Sequence, residues 1–196
     1  DCATCGSTLK RYGALLAGDP AYAERAQAFS ARVRDISEFL MSIDLRAPTG
    51  QVAARVTYHD PCHLVRGQKI KAQPRALLRL VPGLEFVEMK EADWCCGSAG
   101  TQLITHYTNS LKVNRRKMDN VRATGAEFVT TGCPGCRMQL GMGAQHYQVG
   151  VSVLHPIQVL DEAYRREEMG LPADAPWPSY DVAGPEAVRV DGLLPR

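Results

Sequence analysis

"QVAARVTYHDPCHL", residues 51–64, decides the fold. Its first part is rich in β-branched and aromatic types and reads as a strand. Asp60 then suits a helix N-cap, and Pro61 suits the first helical turn. The stretch is therefore a strand running straight into a helix, with Cys62 at the junction. The positive end of a helix dipole favours the thiolate form of a cysteine placed there.

The same texture repeats downstream. "LEFVEM" (84–89), "AEFVTT" (126–131) and "GVSVLH" (150–155) are further strand candidates. Helical stretches separate them, at about 72–80, 100–122, 134–147 and 156–168. Strand–helix alternation at this spacing predicts parallel pairing and an α/β layered fold. Upstream, residues 21–41 read as one amphipathic helix, with Ala26, Phe29, Val33, Ile36 and Leu40 facing a core. "RAPTGQ" (46–51) reads as a linker by its Pro and Gly.

A weak internal repeat suggests the domain plan. "DCATCGSTLK" (1–10) and "GCPGCRMQLG" (132–141) share Cys-x-x-Cys-x-x-x-Leu, and each is followed by a similar closing helix, "VRDISEFL" (33–40) and "VLHPIQVL" (153–160). We therefore expect the end of a truncated first module over 1–50, a complete module over 51–168, and a Pro-rich tail over 169–196. Opening at Asp1 directly on a Cys-x-x-Cys, the chain reads as a piece whose upstream part is missing. The tail from 170 holds five prolines among 27 residues and is expected to be irregular.

The 196 residues suit one domain or one and a half, with enough length for a real core. A net charge of +2 makes no demand for a nucleic-acid partner. No apolar run approaches the roughly 18–20 residues that span a bilayer. Seven cysteines cannot all pair internally, and they are clustered in motifs rather than spread as in a disulfide scaffold. Such clusters bind metal or do redox chemistry more often than they staple a fold.

The complete copy reads Cys62-x32-Cys95-Cys96-Gly97-x35-Cys133-x2-Cys136. Adjacent cysteines such as 95 and 96 rarely bridge each other, because the ring misfits disulfide geometry. Each element lies past a strand candidate, and parallel sheets bring such ends to one edge. Gly97, Gly100, Gly132 and Gly135 free backbone amides to approach sulfur. Four thiolates suit zinc or an iron–sulfur centre, whereas five exceed what tetrahedral zinc uses. Iron–sulfur binding, zinc binding and thiol–disulfide chemistry all stay open at this level.

"DPCHL", "CCGSAGT" and "GCPGC", with "QPRALLRLVPGLEFVEM" between the first two, carry a resemblance. The chain resembles the cysteine-rich CCG domain of glycolate oxidase iron–sulfur subunits and lactate-utilisation iron–sulfur proteins. The same domain occurs in the cysteine-rich subunits of anaerobic glycerol-3-phosphate dehydrogenase and heterodisulfide reductase. "CCGSAGT" is closest to the glycolate oxidase type. The resemblance spans about residues 52–165, and 1–45 as the back half of a preceding copy. It implies two pseudo-symmetric α/β modules. It also implies a 4Fe–4S cluster, non-cubane in one branch of the family, held by Cys62, Cys95, Cys96, Cys133 and Cys136. Cys2 and Cys5 would be remnants of an incomplete second site.

The implied role is electron transfer. An FAD-containing oxidase subunit would oxidise glycolate or lactate, and electrons would pass through this chain towards quinone or a membrane-associated acceptor. The implied setting is cytoplasmic, peripheral at the inner membrane. No Gly-x-Gly-x-x-Gly stands at a strand–helix junction to suggest a dinucleotide site. The alternatives are a heterodisulfide reductase-like thiol–disulfide reductase subunit and a zinc-binding assembly module.

His59 and His63 flank Cys62 and read as a strand-end and a helix-start residue, with the sharper role a hydrogen-bond donor beside the cluster ligands, or a proton carrier near the cluster. Gly97 would offer its amide to sulfur. His106 and His155 read as helix-surface and loop residues. "NRRKMDNVR" (114–122) reads as a solvated helix face, or a patch docking an acidic flavoprotein surface. Trp94 reads as a shield or a core aromatic, and Met138 and Met142 as core.

Overall fold

A computed structural model describes residues 1–178. Four short strands, β1 (Ala54–Tyr58), β2 (Leu84–Phe86), β3 (Phe128–Thr130) and β4 (Ser152–Leu154), form one sheet in the order β2-β1-β3-β4. Every pairing is parallel, with Val56 opposite both Phe86 and Phe128. The expected α/β class and all four strand candidates are therefore present.

Nine helices accompany the sheet among the described residues: α1 (Ala3–Leu9), α2 (Tyr12–Leu15), α3 (Ala23–Arg32), α4 (Ile36–Leu40), α5 (Ala72–Arg79), α6 (Gln102–Thr105), α7 (Tyr107–Thr124), α8 (Pro134–His146) and α9 (Pro156–Met169). Both faces of the sheet are buried, as parallel sheets require. On one face Val129 and Val153 pack with Met118, Val121 and Leu140 of α7 and α8. On the other, Tyr58 and Leu154 pack with Leu77, Leu78, Val159 and Leu160 of α5 and α9. None of these helices is long and apolar enough to cross a membrane.

Several expectations change in the fold. The single helix over 21–41 is two, because Val33 is extended and Asp35 starts α4 with a full capping box. Asp35 accepts from the Ser37 amide, while the Glu38 side chain accepts from the Asp35 amide. Phe29, expected in the core, is exposed. The stretch 100–122 also breaks, at His106, whose φ of −136° ends α6 and opens α7.

Asp60 does not cap a helix. Its two carboxylate oxygens accept from Arg75 Nη1 and Nη2 at 2.8 and 2.7 Å. Arg75 also donates to both oxygens of Glu88 and stacks over the Tyr58 ring. One guanidinium on α5 thus ties together the segments that follow β1 and β2. Beyond Cys62 the chain makes a π-helical turn, His63–Gly67, in place of the expected α-helix.

The tail packs where it is described. Buried Arg166 donates to the carbonyls of Pro172 and Ala175, and Trp177 lies against Phe128 with ring centroids 4.6 Å apart. The remainder of the expected irregular tail, 179–196, lies outside the described residues.

Removing one partner of a buried ion pair leaves an uncompensated charge, at a cost of about 3–5 kcal/mol. Urea unfolding of Arg75→Leu is expected to show a loss in that range. Arg55→Leu breaks only the exposed pair with Glu85 and is expected to cost under about 1 kcal/mol.

Candidate metal centre

The strand order places a topological switch between β1 and β3. From β1 the chain connects outward to β2, and from β3 it connects the other way to β4. A crevice opens at the carboxyl ends of such a pair. Cys62 follows β1 and Cys133 follows β3, so both stand at its rim. The His59 amide donates to the Thr130 carbonyl at 2.9 Å and extends the pairing to the cysteine segments.

Cys133 has an extended backbone and N-caps α8, with Pro134 in the first turn, as expected, and Cys136 one turn further on. Cys95 and Cys96 arrive on the loop between β2 and α6. All five line one cavity of about 330 Å³. Cys2 and Cys5, read from the sequence as an incomplete second site, line the same cavity. Cys2 N-caps α1 with an extended backbone similar to that of Cys133, and the Ala3 amide donates to the Gly132 carbonyl at 3.1 Å. The two Cys-x-x-Cys helix starts therefore abut.

The Cys-Cys-Gly loop is held from below by one face of α7. Ser110 Oγ donates to the Gly97 carbonyl at 2.8 Å, Asn114 Nδ2 to the Cys96 carbonyl at 2.9 Å, and Lys117 Nζ to the carbonyls of Glu91 and Ala92. The spacing i, i+4, i+7 puts all three on one helical stripe. All three side chains are fully buried. Gly97 has φ +99°, and a Cβ there would meet the Ser110 carbonyl oxygen at 2.5 Å. Gly143 on α8 gives way to Asn114 in the same manner, with only 2.1 Å between a Cβ and Oδ1.

This row is the main departure from the sequence reading. A solvated face is expected over 114–122, but Asn114, Lys117, Met118 and Val121 are buried. Only the alternate stripe is solvated, where Arg116 pairs with Glu91 and stacks on Trp94. The available signal was the set Ser110, Asn114, Lys117, Met118 and Val121, which recurs at helical spacing.

The thiols share protons. Hydrogen bonding to Cys136 and then to Cys95 holds Cys96 well below the ordinary thiol value, against its burial and with a smaller contribution from nearby His59. Cys133 is held down to about 5, first by Cys136 and with help from the amides of Cys136 and Gly135. Cys136 and Cys95 are pushed up in exchange, each first by a shared hydrogen bond with a neighbouring cysteine and also by burial. Cys96 Sγ and Cys136 Sγ lie 3.3 Å apart, and the Gly97 amide donates to Cys95 Sγ at 3.3 Å.

This donor chemistry suits an iron–sulfur group. Seven thiols and no carboxylate line the cavity, and two of those thiols already favour thiolate. His59 is 1 % exposed and lines it with neither ring nitrogen hydrogen-bonded. His63 is exposed, with Nδ1 3.5 Å from Cys62 Sγ and 3.3 Å from Thr4 Oγ1. Elsewhere, His155 caps α9 through Nδ1, His106 is exposed, and Met138 is exposed rather than core.

Residues 56–141, which carry all five cysteines of the complete motif, match the family model described as the CCG cysteine-rich domain. This segment belongs to the CCG family. Over 166 residues the chain is 39% identical to a probable glycolate oxidase iron-sulfur subunit of Bacillus subtilis, covering 81% of this chain and 37% of the relative. It is 38% identical over 168 residues to a subunit of the fumarate reductase (CoM/CoB) of Methanothermobacter marburgensis, covering 83% of this chain and 31% of the relative. It is 31% identical over 159 residues to lactate utilization protein A of Oceanobacillus iheyensis, covering 81% and 65%. The chain thus spans about a third of the length of the first two. The CCG pair that gives the family its label is the pair pinned by α7.

Two outcomes follow. Gly97→Ala adds a Cβ that cannot fit and forbids the backbone conformation. Cysteine reactivity in the cluster-free protein is expected to rise at residues 95 and 96, read by alkylation and peptide mass, while far-UV circular dichroism changes little. Burial lowers Lys117 to about 8 in the fold, against about 10.4 in the unfolded chain. The unfolded chain then binds more protons between these values, so stability from this group rises with pH through that window. Relative to Lys117→Met, the parent chain is expected to gain roughly 2–3 kcal/mol between pH 7 and pH 10 in urea titrations under reducing conditions.

Proposed function

We propose that this chain is the cluster-bearing part of an iron–sulfur subunit of an oxidoreductase, of the flavin-linked 2-hydroxyacid type. It takes electrons from an FAD-containing subunit that oxidises glycolate or lactate, and passes them towards quinone from the cytoplasmic side of a membrane. Cys62, Cys95, Cys96, Cys133 and Cys136 hold a 4Fe–4S cluster. The observation that carries this reading is the convergence of these thiols on one carboxylate-free cavity at the sheet's switch point. The names of the relatives support the hydroxyacid assignment. Residues 1–50 are the trailing part of a preceding module, a reading supported by the like caps at Cys2 and Cys133.

A bound iron–sulfur cluster supplies one-electron redox chemistry at a potential set by ligand charge, hydrogen bonds to sulfur and exposure. The chain's own residues set those terms. Cys96, Cys133 and Cys136 belong to the apolar core with Leu140 and Met118, which excludes water from the inner side. Gly97 donates its amide to Cys95, and the α8 N-terminus offers its dipole at Cys133. Cys62 and Cys95 are half-buried, and Trp94, which precedes Cys95 in the chain, is exposed. This more exposed edge is where a partner exchanges electrons.

The second reading is thiol–disulfide reduction at the same centre. It is favoured by Cys2 and Cys5, two further thiols on the cavity wall. Reoxidation of the reduced centre by a disulfide, in the absence of any quinone analogue, would single it out.

Protein prepared without oxygen is expected to be brown, with broad absorption near 400 nm. Cys95→Ser and Cys96→Ser are each expected to lose most of the iron while keeping the far-UV spectrum of the parent. Unchanged iron content in both variants removes the ligand assignment, and a colourless zinc protein removes the electron-transfer reading.

A further inference from the structure

We propose that His59 is a direct nitrogen ligand of the metal centre, alongside Cys96 and Cys136, an assignment that rests on the cluster reading above. The sequence places His59 one residue past β1, where it would pass as an ordinary strand-end side chain. Its backbone is fixed, because its amide donates to Thr130 on the neighbouring strand. Successive side chains point to opposite faces of a strand. Tyr58 enters the α5–α9 core, so His59 turns the other way, towards the cysteines.

The imidazole is 1 % exposed, and neither Nδ1 nor Nε2 makes a hydrogen bond of good geometry, the nearest charged group acting on it being the Cys96 sulfur. A buried polar group left unmatched costs about 1–3 kcal/mol. Buried side-chain polar atoms in native structures nearly always have a partner. The donor atoms of His59, Cys96 and Cys136 all lie within 4.8 Å of one another, and all three residues are buried. Bonds of about 2.3 Å to thiolate and about 2.1 Å to imidazole hold tetrahedral donors roughly 3.6–3.8 Å apart. Cys96 Sγ and Cys136 Sγ already lie 3.3 Å apart, so side-chain shifts on the order of 1 Å bring the three donors to one ion.

The consequence for the centre is electronic. Imidazole is a neutral donor, and exchanging thiolate for imidazole on iron raises a cluster's potential. His59 thus adds a donor to the centre without adding to the negative charge that the thiolates bring into a buried site. The residue acts here as a ligand and not as a proton carrier.

The test uses protein loaded anaerobically with iron and sulfide and poised in a paramagnetic state. Pulsed paramagnetic resonance of the parent is expected to show a strongly coupled imidazole nitrogen that responds to ¹⁵N-histidine labelling. His59→Ala is expected to lose that coupling while retaining at least half of the iron, held by the cysteines. His59→Cys is expected to retain iron with a lower midpoint potential than the parent. Iron-loaded parent protein showing no such coupling, or only the weak coupling of an N–H···S hydrogen bond, overturns the ligand role and leaves the cluster reading intact. A parent protein that takes up no iron overturns the cluster reading itself, and the His59 assignment with it.

Discussion

Parallel pairing of β1 with β3 is the constraint on which the cavity depends. Tyr58 sits opposite Thr130, and the ladder extends through the His59 amide to the Thr130 carbonyl. Two strands in register deliver their following residues at one height. Because their connections then leave in opposite directions, a crevice stays open between them. Cys62 and Cys133 are 71 residues apart in the chain. They become neighbours of one cavity through this register.

The Cys-Cys-Gly loop has no strand pairing of its own to hold it. α7 holds it with a row of buried polar groups that meet backbone carbonyls. A buried amide or ammonium is costly without partners and orienting with them. Ser110, Asn114 and Lys117 fix the loop in a way that apolar packing cannot, since hydrogen bonds specify position as well as proximity. The close approach of α7 to α8 at Gly143, and to the loop at Gly97, follows from the same arrangement.

Some departures from the sequence reading had a local sign. Asp35 and Glu38 form a capping box that marks the start of α4, and helical periodicity alone overrode that signal across 21–41. Other features had no local sign. Asp60 followed by Pro61 matches a helix start, but its carboxylate meets an arginine fifteen residues away in another element, and the bidentate ion pair outcompetes a cap. Met138 points outward although Cys136, Gln139 and Leu140 beside it on the same helix are buried. Cys2 and Cys5 look stranded in the sequence, with no Cys-Cys-Gly before them. Spatially they join the other five cysteines through the Ala3–Gly132 contact.

Sequence alone determined the layer class and the identity of the thiol set. Both are carried by short-range pattern: alternation of period-2 and period-3.6 segments, and rare residue types at fixed spacing. Tertiary structure alone decided that seven thiols face one cavity, that Lys117 is buried, and that His59 meets Cys96 and Cys136. These are contacts between residues distant along the chain. They depend on strand register and helix docking, which many sequences of the same pattern can satisfy differently.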